Sequence, residues 1–154
     1  MQKKTKVIIS VIVAIVVVLG GFYLYASHSV ARHVPGHVYE YTSISGNQKA
    51  YMTFAKSGDE VVVTPSRDKA LKANDSDSAF QSVYQDEADQ GKWNYEAKGS
   101  KLTLSKTQDN RVSLWQYNHV LAFGKKIHSS SFSYQIANAG QGVDRKATNF
   151  EQIR

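Results

Sequence analysis

Hydrophobic positions follow two patterns along this chain. Residues 7–26 form an unbroken apolar run without a charge, in which only Ser10, Gly20 and Gly21 fall outside the hydrophobic class. Twenty helical residues rise about 30 Å, the thickness of a bilayer's hydrocarbon core. A helix pairs all its own backbone groups in lipid, and that need overrides the strand preference of so many Val and Ile residues. The run therefore predicts a transmembrane helix. Phe22, Tyr23 and Tyr25 stand near its end, where amphipathic rings favour the membrane interface. Lys3, Lys4 and Lys6 precede the run, and Arg32 is the first cation after it. That asymmetry puts residues 1–6 in the cytoplasm and the chain after residue 26 outside. A cleaved signal peptide is the alternative, because Ser29-Val30-Ala31 offers small residues for cleavage near Ala31. The run is longer than the usual apolar core of a signal peptide, so an uncleaved anchor is the expected form.

Beyond the run the pattern changes. Residues 27–36 read as a polar stalk ending in the turn signal Pro35-Gly36. Residues 37–142 then alternate apolar with polar positions between turns, the mark of half-buried strands. Strands are predicted over 38–44, 49–56, 60–64, 92–97, 101–106, 111–117, 119–123 and 131–136. Turns are predicted at Ser45-Gly46-Asn47, Ser57-Gly58-Asp59, Lys98-Gly99-Ser100 and Asp109-Asn110. Leu102 and Leu104 are expected to point inward. In 111–117, Val112 and Leu114 share one face, and Ser113, Trp115 and Tyr117 the other. Residues 67–74 are charged and poorly periodic. From Asp75 or Asp77 to Gln90 the period is helical, with Phe80, Val83, Tyr84 and Ala88 on one face, a cap at Asp77 or Ser78 and a stop at Gly91. Asp86, Glu87 and Asp89 oppose the helix dipole in its last turn. Residues 138–142 read as a loop and 143–154 as a polar tail. The expected fold is mainly β: an N-terminal transmembrane helix, then a small antiparallel barrel or sandwich of roughly eight strands with one inserted helix.

Composition narrows the chemistry. The chain has 154 residues, 11% of them aromatic and 21% charged, enough for one packed domain. It has no cysteine, which excludes disulfides, thiolate metal sites and a thiol nucleophile. The net charge of +6 falls to +3, 16 cations against 13 anions, once the three cytoplasmic lysines are set aside. Neither that charge nor the compartment suits nucleic acid. Lys125-Lys126 and Arg145-Lys146 are small basic pairs that read as solvated surface, or as contacts to an anionic envelope polymer or lipid headgroup.

The stretch Gly91-Lys92-Trp93-Asn94-Tyr95, with Gly99-Ser100-Lys101-Leu102-Thr103-Leu104 after it, resembles a hairpin of small lipocalin-like (calycin-like) barrels. Together with the anchor it is similar to small extracytoplasmic proteins of Gram-positive bacteria. The Gly-x-Trp step lies mid-chain here, not on a first strand. The resemblance therefore implies barrel-like architecture, either hollow for a small apolar ligand or solid, and not the lipocalin strand order.

No nucleophile elbow, paired metalloprotease histidines, phosphate loop or dinucleotide fingerprint occurs. His128-Ser129 and Tyr117-Asn118-His119 read as ordinary strand or surface residues. His28, His33 and His37 crowd the stalk, but Pro35-Gly36 keeps the last two from sharing a helix face. Asp75-Ser76-Asp77-Ser78 resembles the opening of a calcium loop, yet Phe80 occupies the position that needs glycine. Capping is the better use of these residues. Asn74-Asp75-Ser76 is also a glycosylation sequon, relevant only in a eukaryotic secretory host. No enzyme, metal or cofactor is expected. The aromatic set is the remaining candidate. Trp93, Tyr95, Trp115, Tyr117 and Tyr134 are expected either to line a ligand site or to fill a β-core. Expected partners are the membrane through residues 7–26 and an apolar ligand, a glycan or an envelope protein. The expected activity is non-enzymatic binding by an anchored exterior domain, and the alternatives are a solid-cored interaction module or an envelope-polymer hydrolase.

Overall fold

The computed structural model describes residues 2–42, 48–136, 140–144 and 147–154. The apolar run lies within helix α1, Gln2–His28, and its stretch Lys6–Tyr25 is nowhere buried against the rest of the protein. A helix that exposes apolar side chains on every face is suited to lipid, not water. After it comes a single turn, α2, Val30–His33. The predicted stalk is not free: Ser29, Val30 and Val34 are all fully buried, and both valines join the main core. The Ser29 hydroxyl donates to the Ala122 carbonyl at 2.9 Å, so its burial leaves no polar group stranded.

Among the described residues eleven strands follow instead of roughly eight, and all their ladders are antiparallel. They are β1 Val38–Thr42, β2 Lys49–Phe54, β3 Val61–Thr64, β4 Lys92–Lys98, β5 Lys101–Gln108, β6 Arg111–Asn118, β7 Leu121–Phe123, β8 Lys126–Ser129, β9 Ser131–Ile136, β10 Gly140–Asp144 and β11 Thr148–Gln152. One sheet has the order β3-β2-β1-β11-β8-β7 and the other β10-β9-β6-β5-β4. The two sheets face each other and do not close into a barrel. They meet at a lone bridge between Glu60 and Asn94, where the Tyr95 N–H donates to the Asp59 carbonyl at 2.7 Å. At the other side the Val120 N–H donates to the Ser100 carbonyl at 2.8 Å.

The first of two helices between β3 and β4, α3 at Arg67–Ala73, occupies the segment that looked aperiodic. Ser66 caps it by accepting from the Lys69 N–H, and Ala70 and Ala73 are its buried contacts. The second, α4, runs Asp77–Asp86 and is capped by Ser76, one residue earlier than expected. Phe80, Val83 and Tyr84 bury its apolar face against Val62 and Ala55 of the first sheet's outer side. The helix stops where the acids gather; Ala88–Gln90 is a separate 3-10 turn, and Gly91 follows at φ +120°. That φ is one L side chains rarely adopt, so this stop calls for glycine, and a Cβ there would also displace the Lys106 side chain.

The predicted Ser45-Gly46-Asn47 turn lies outside the described residues, as do Ile44, residues 138–139 and the pair Arg145-Lys146. Gly140–Gly142, read as loop, belongs to edge strand β10. The larger correction concerns the polar tail. Its residues 148–152 are β11, in mid-sheet between β1 and β8, with Phe150 buried across from Tyr41 and Ile127. Between the sheets lie Tyr39, Met52, Phe54, Leu102, Leu104, Tyr117, Ile127, Phe132 and Phe150, joined by Val30 and Val34.

Candidate functional site

The register of the second sheet decides where the aromatic candidates go. Tyr95 and Trp115 flank Leu104, and Tyr134 stands across from Trp115, so one cross-strand row carries three of them. Trp93 packs beside Trp115, with ring centroids 4.9 Å apart. Tyr117 lies in the neighbouring row against Phe132 at 5.3 Å and Phe150 at 4.9 Å. All five thus share the inner face. Tyr117 is buried, and the other four are half-buried at the core's margin. Tyr95 meets Phe54 edge-on at 4.8 Å, tying the second sheet to the first. Burial raises the Tyr117 hydroxyl well above the ordinary phenol range, with Tyr41 adding to the effect. Burial raises Tyr95 as well, helped by Asp59. These side chains pack on the core, and the other face of β6 points outward: Val112 is 51% and Leu114 37% exposed.

That outer face forms an open groove of about 470 Å³, lined by Thr103, Leu114, Gln116, Ser133, Gln135 and Gln141, with Tyr134, alone of the five aromatic candidates, also at its border. None of its lining residues is charged. A side-chain network runs across it: Gln116 donates to Asn118 Oδ1 at 2.7 Å, and Asn118 donates to Ser133 Oγ at 3.0 Å. Sequence reasoning did not single these residues out. A compositional signal was present: the outward polar positions Thr103, Ser105, Thr107, Gln116, Asn118, Ser131, Ser133 and Gln135 carry hydroxyls and amides, where lysines and glutamates usually stand.

The other candidates are accounted for by local partners. His128 and Ser129 point to opposite faces of β8, so they cannot form a nucleophile–base pair. His128 bonds to Asn149 at 2.7 Å, and the Ser129 hydroxyl sits within hydrogen-bond reach of the Asn118 and Ser131 carbonyls. Tyr117 is buried while His119 sits in an exposed turn at φ +51°. The stalk histidines diverge: the rings of His28 and His33 contact the Leu24 and Ser29 carbonyls, and His37 contacts Gln152. Among the described residues no three His, Asp or Glu side chains gather as a metal site. Asp75 pairs with Arg154 at 2.8 Å, and the Asn74 amide donates to the Gly36 carbonyl.

Comparison with known proteins adds no relative: no family model, no curated protein and no solved structure matches this chain.

Proposed function

We propose that this chain is a single-pass membrane protein whose exterior β-domain binds an envelope component without catalysing a reaction. Two things favour a retained anchor over secretion. The apolar helix α1 has a length that matches a bilayer, and the residues after it are built into the domain. Cleavage near Ala31 would remove Ser29 and Val30, both fully buried, and leave a charged amino terminus at the core's edge. A secreted form would therefore begin by losing part of its own interior.

The ligand reading rests on one observation: Trp93, Tyr95, Trp115 and Tyr117 pack on the inter-sheet core, while the uncharged groove of β5, β6, β9 and β10, which Tyr134 borders, lies open on the outside. Amides and hydroxyls flanking Leu114 and Val143 offer paired donors and acceptors beside apolar surface. That combination suits a neutral, polyhydroxylated chain such as an envelope glycan. It does not suit an anionic polymer, which needs cations. A small apolar ligand would need space between the sheets that Phe54, Tyr117, Phe132 and Phe150 occupy.

The test is retention of the full chain, held in lipid nanodiscs, on immobilised neutral envelope glycan. Gln135→Glu with Gln141→Glu is expected to cut retention about tenfold, through lost hydrogen bonds and unpaired charge. Unchanged retention of that variant, or no retention of the native chain, overturns the glycan reading.

A further inference from the structure

The tip of the β7–β8 hairpin brings together Phe123, Gly124, Lys125 and Lys126. Phe123 is 63% exposed although it ends a strand. Its ring meets Phe22 of α1 edge-on, with centroids 5.2 Å apart. Phe22 lies four residues, about 6 Å of helix rise, before the end of the apolar run. A side chain in contact with Phe22 therefore reaches the depth at which interfacial aromatic residues sit, about 5–10 Å into the boundary of headgroups and acyl chains. Lys125 and Lys126 follow immediately, both exposed, with Gly124 at φ +58° making the turn. Arg32 adds a third cation near the helix exit, its guanidinium 5.4 Å from the Tyr25 ring centroid. The acid facing this group is Glu151, across the ladder from Lys126. An apolar ring with two flanking lysines is the arrangement that binds a leaflet of anionic lipid: the ring enters the boundary and the ammonium groups meet phosphates.

We propose that the hairpin tip is a second membrane contact, with Phe123 in the outer leaflet beside Phe22 and Lys125 and Lys126 on anionic phospholipid headgroups. This rests on the anchored reading above. Two attachments hold the domain at a fixed tilt, where one flexible tether would let it swing. The groove's outer face then keeps a constant height above the bilayer.

The chain lacks cysteine, so single labels are clean. Cysteines are introduced singly by Phe123→Cys, Val143→Cys and Val16→Cys, and each carries an environment-sensitive fluorophore. The full-length protein is reconstituted in phosphatidylcholine vesicles, with and without phosphatidylglycerol. Spin-labelled lipids with a shallow or a deep quencher read the depth. The label at 123 is expected to shift to the blue and to be quenched by the shallow probe, more strongly with phosphatidylglycerol. The label at 16 should be quenched by the deep probe and the label at 143 by neither. Lys125→Gln with Lys126→Gln should abolish the gain from phosphatidylglycerol at 123 while leaving position 16 unchanged. A label at 123 as unquenched as that at 143, with 16 still deep, overturns the hairpin contact and leaves the anchor standing. A gain that survives the lysine exchange overturns the assigned headgroup contact. A label at 16 that the deep probe does not reach overturns the anchored reading, and this proposal with it.

Discussion

Tyr39, Tyr41 and Tyr117 carry phenol groups into the interior, and burial raises all three. Tyr41 is pushed up to about 12, and the other two go further. Tyr39 also donates to the His33 carbonyl at 2.7 Å, so its proton holds α2 against the first sheet. The unfolded chain releases these protons near pH 10, whereas the folded domain keeps them. Between those values the native state binds more protons, so stability falls as pH rises. The stability these tyrosines contribute is fully present below about pH 10 and drains away from about pH 10 upward, through about 12 for Tyr41. An alkaline titration followed by phenolate absorbance and far-UV circular dichroism should show these phenols ionising together with unfolding. Ionisation of every tyrosine near pH 10 with structure intact would contradict the burial assigned here.

Among the elements, β11 shows what alternation can hide. Only Phe150 is strongly apolar in Thr148–Gln152, so the segment reads as polar, yet Thr148 and Phe150 point in while Asn149 and Glu151 point out. One ring supplies the burial, and the neighbours β1 and β8 supply the hydrogen bonds. Phe150→Ala should cost about 3–5 kcal/mol, measured as a lowered denaturant midpoint. A loss below about 1 kcal/mol would mean the strand is peripheral. β8 was missed for the same reason, with Ile127 isolated between Lys126 and His128. α3 was missed because its buried face is only Ala70 and Ala73, although Ser66 announces its start. Strands with two or more large apolar residues in alternation were legible: β5 through Leu102 and Leu104, and β9 through Phe132 and Tyr134. The long helix was legible from length and charge alone. Of the candidate site, the aromatic set was visible as residue types. Which face of β6 pointed inward was not, because Val112 and Leu114 are as apolar as the residues that won the core. Pairing with β5 and β9 decided it, and no local pattern carries that information.

For the whole molecule, the apolar helix and the β-domain are joined by structure, not by a tether. Helix α1 leaves the apolar run, rests Phe22 against Phe123, and within a few residues sends Val30 and Val34 into the core between the sheets. The proposal that follows is a β-domain fixed at the outer surface of the membrane, with its N-terminus on the other side. Single cysteines introduced by Gln2→Cys and Val143→Cys test this most directly, through labelling of intact cells with a membrane-impermeant maleimide. Val143 is 69% exposed, so its replacement by cysteine should react at once. The cysteine at position 2 should stay protected until the cells are lysed. Protection of position 143 in intact cells, with labelling only after lysis, would place the domain inside and contradict the account.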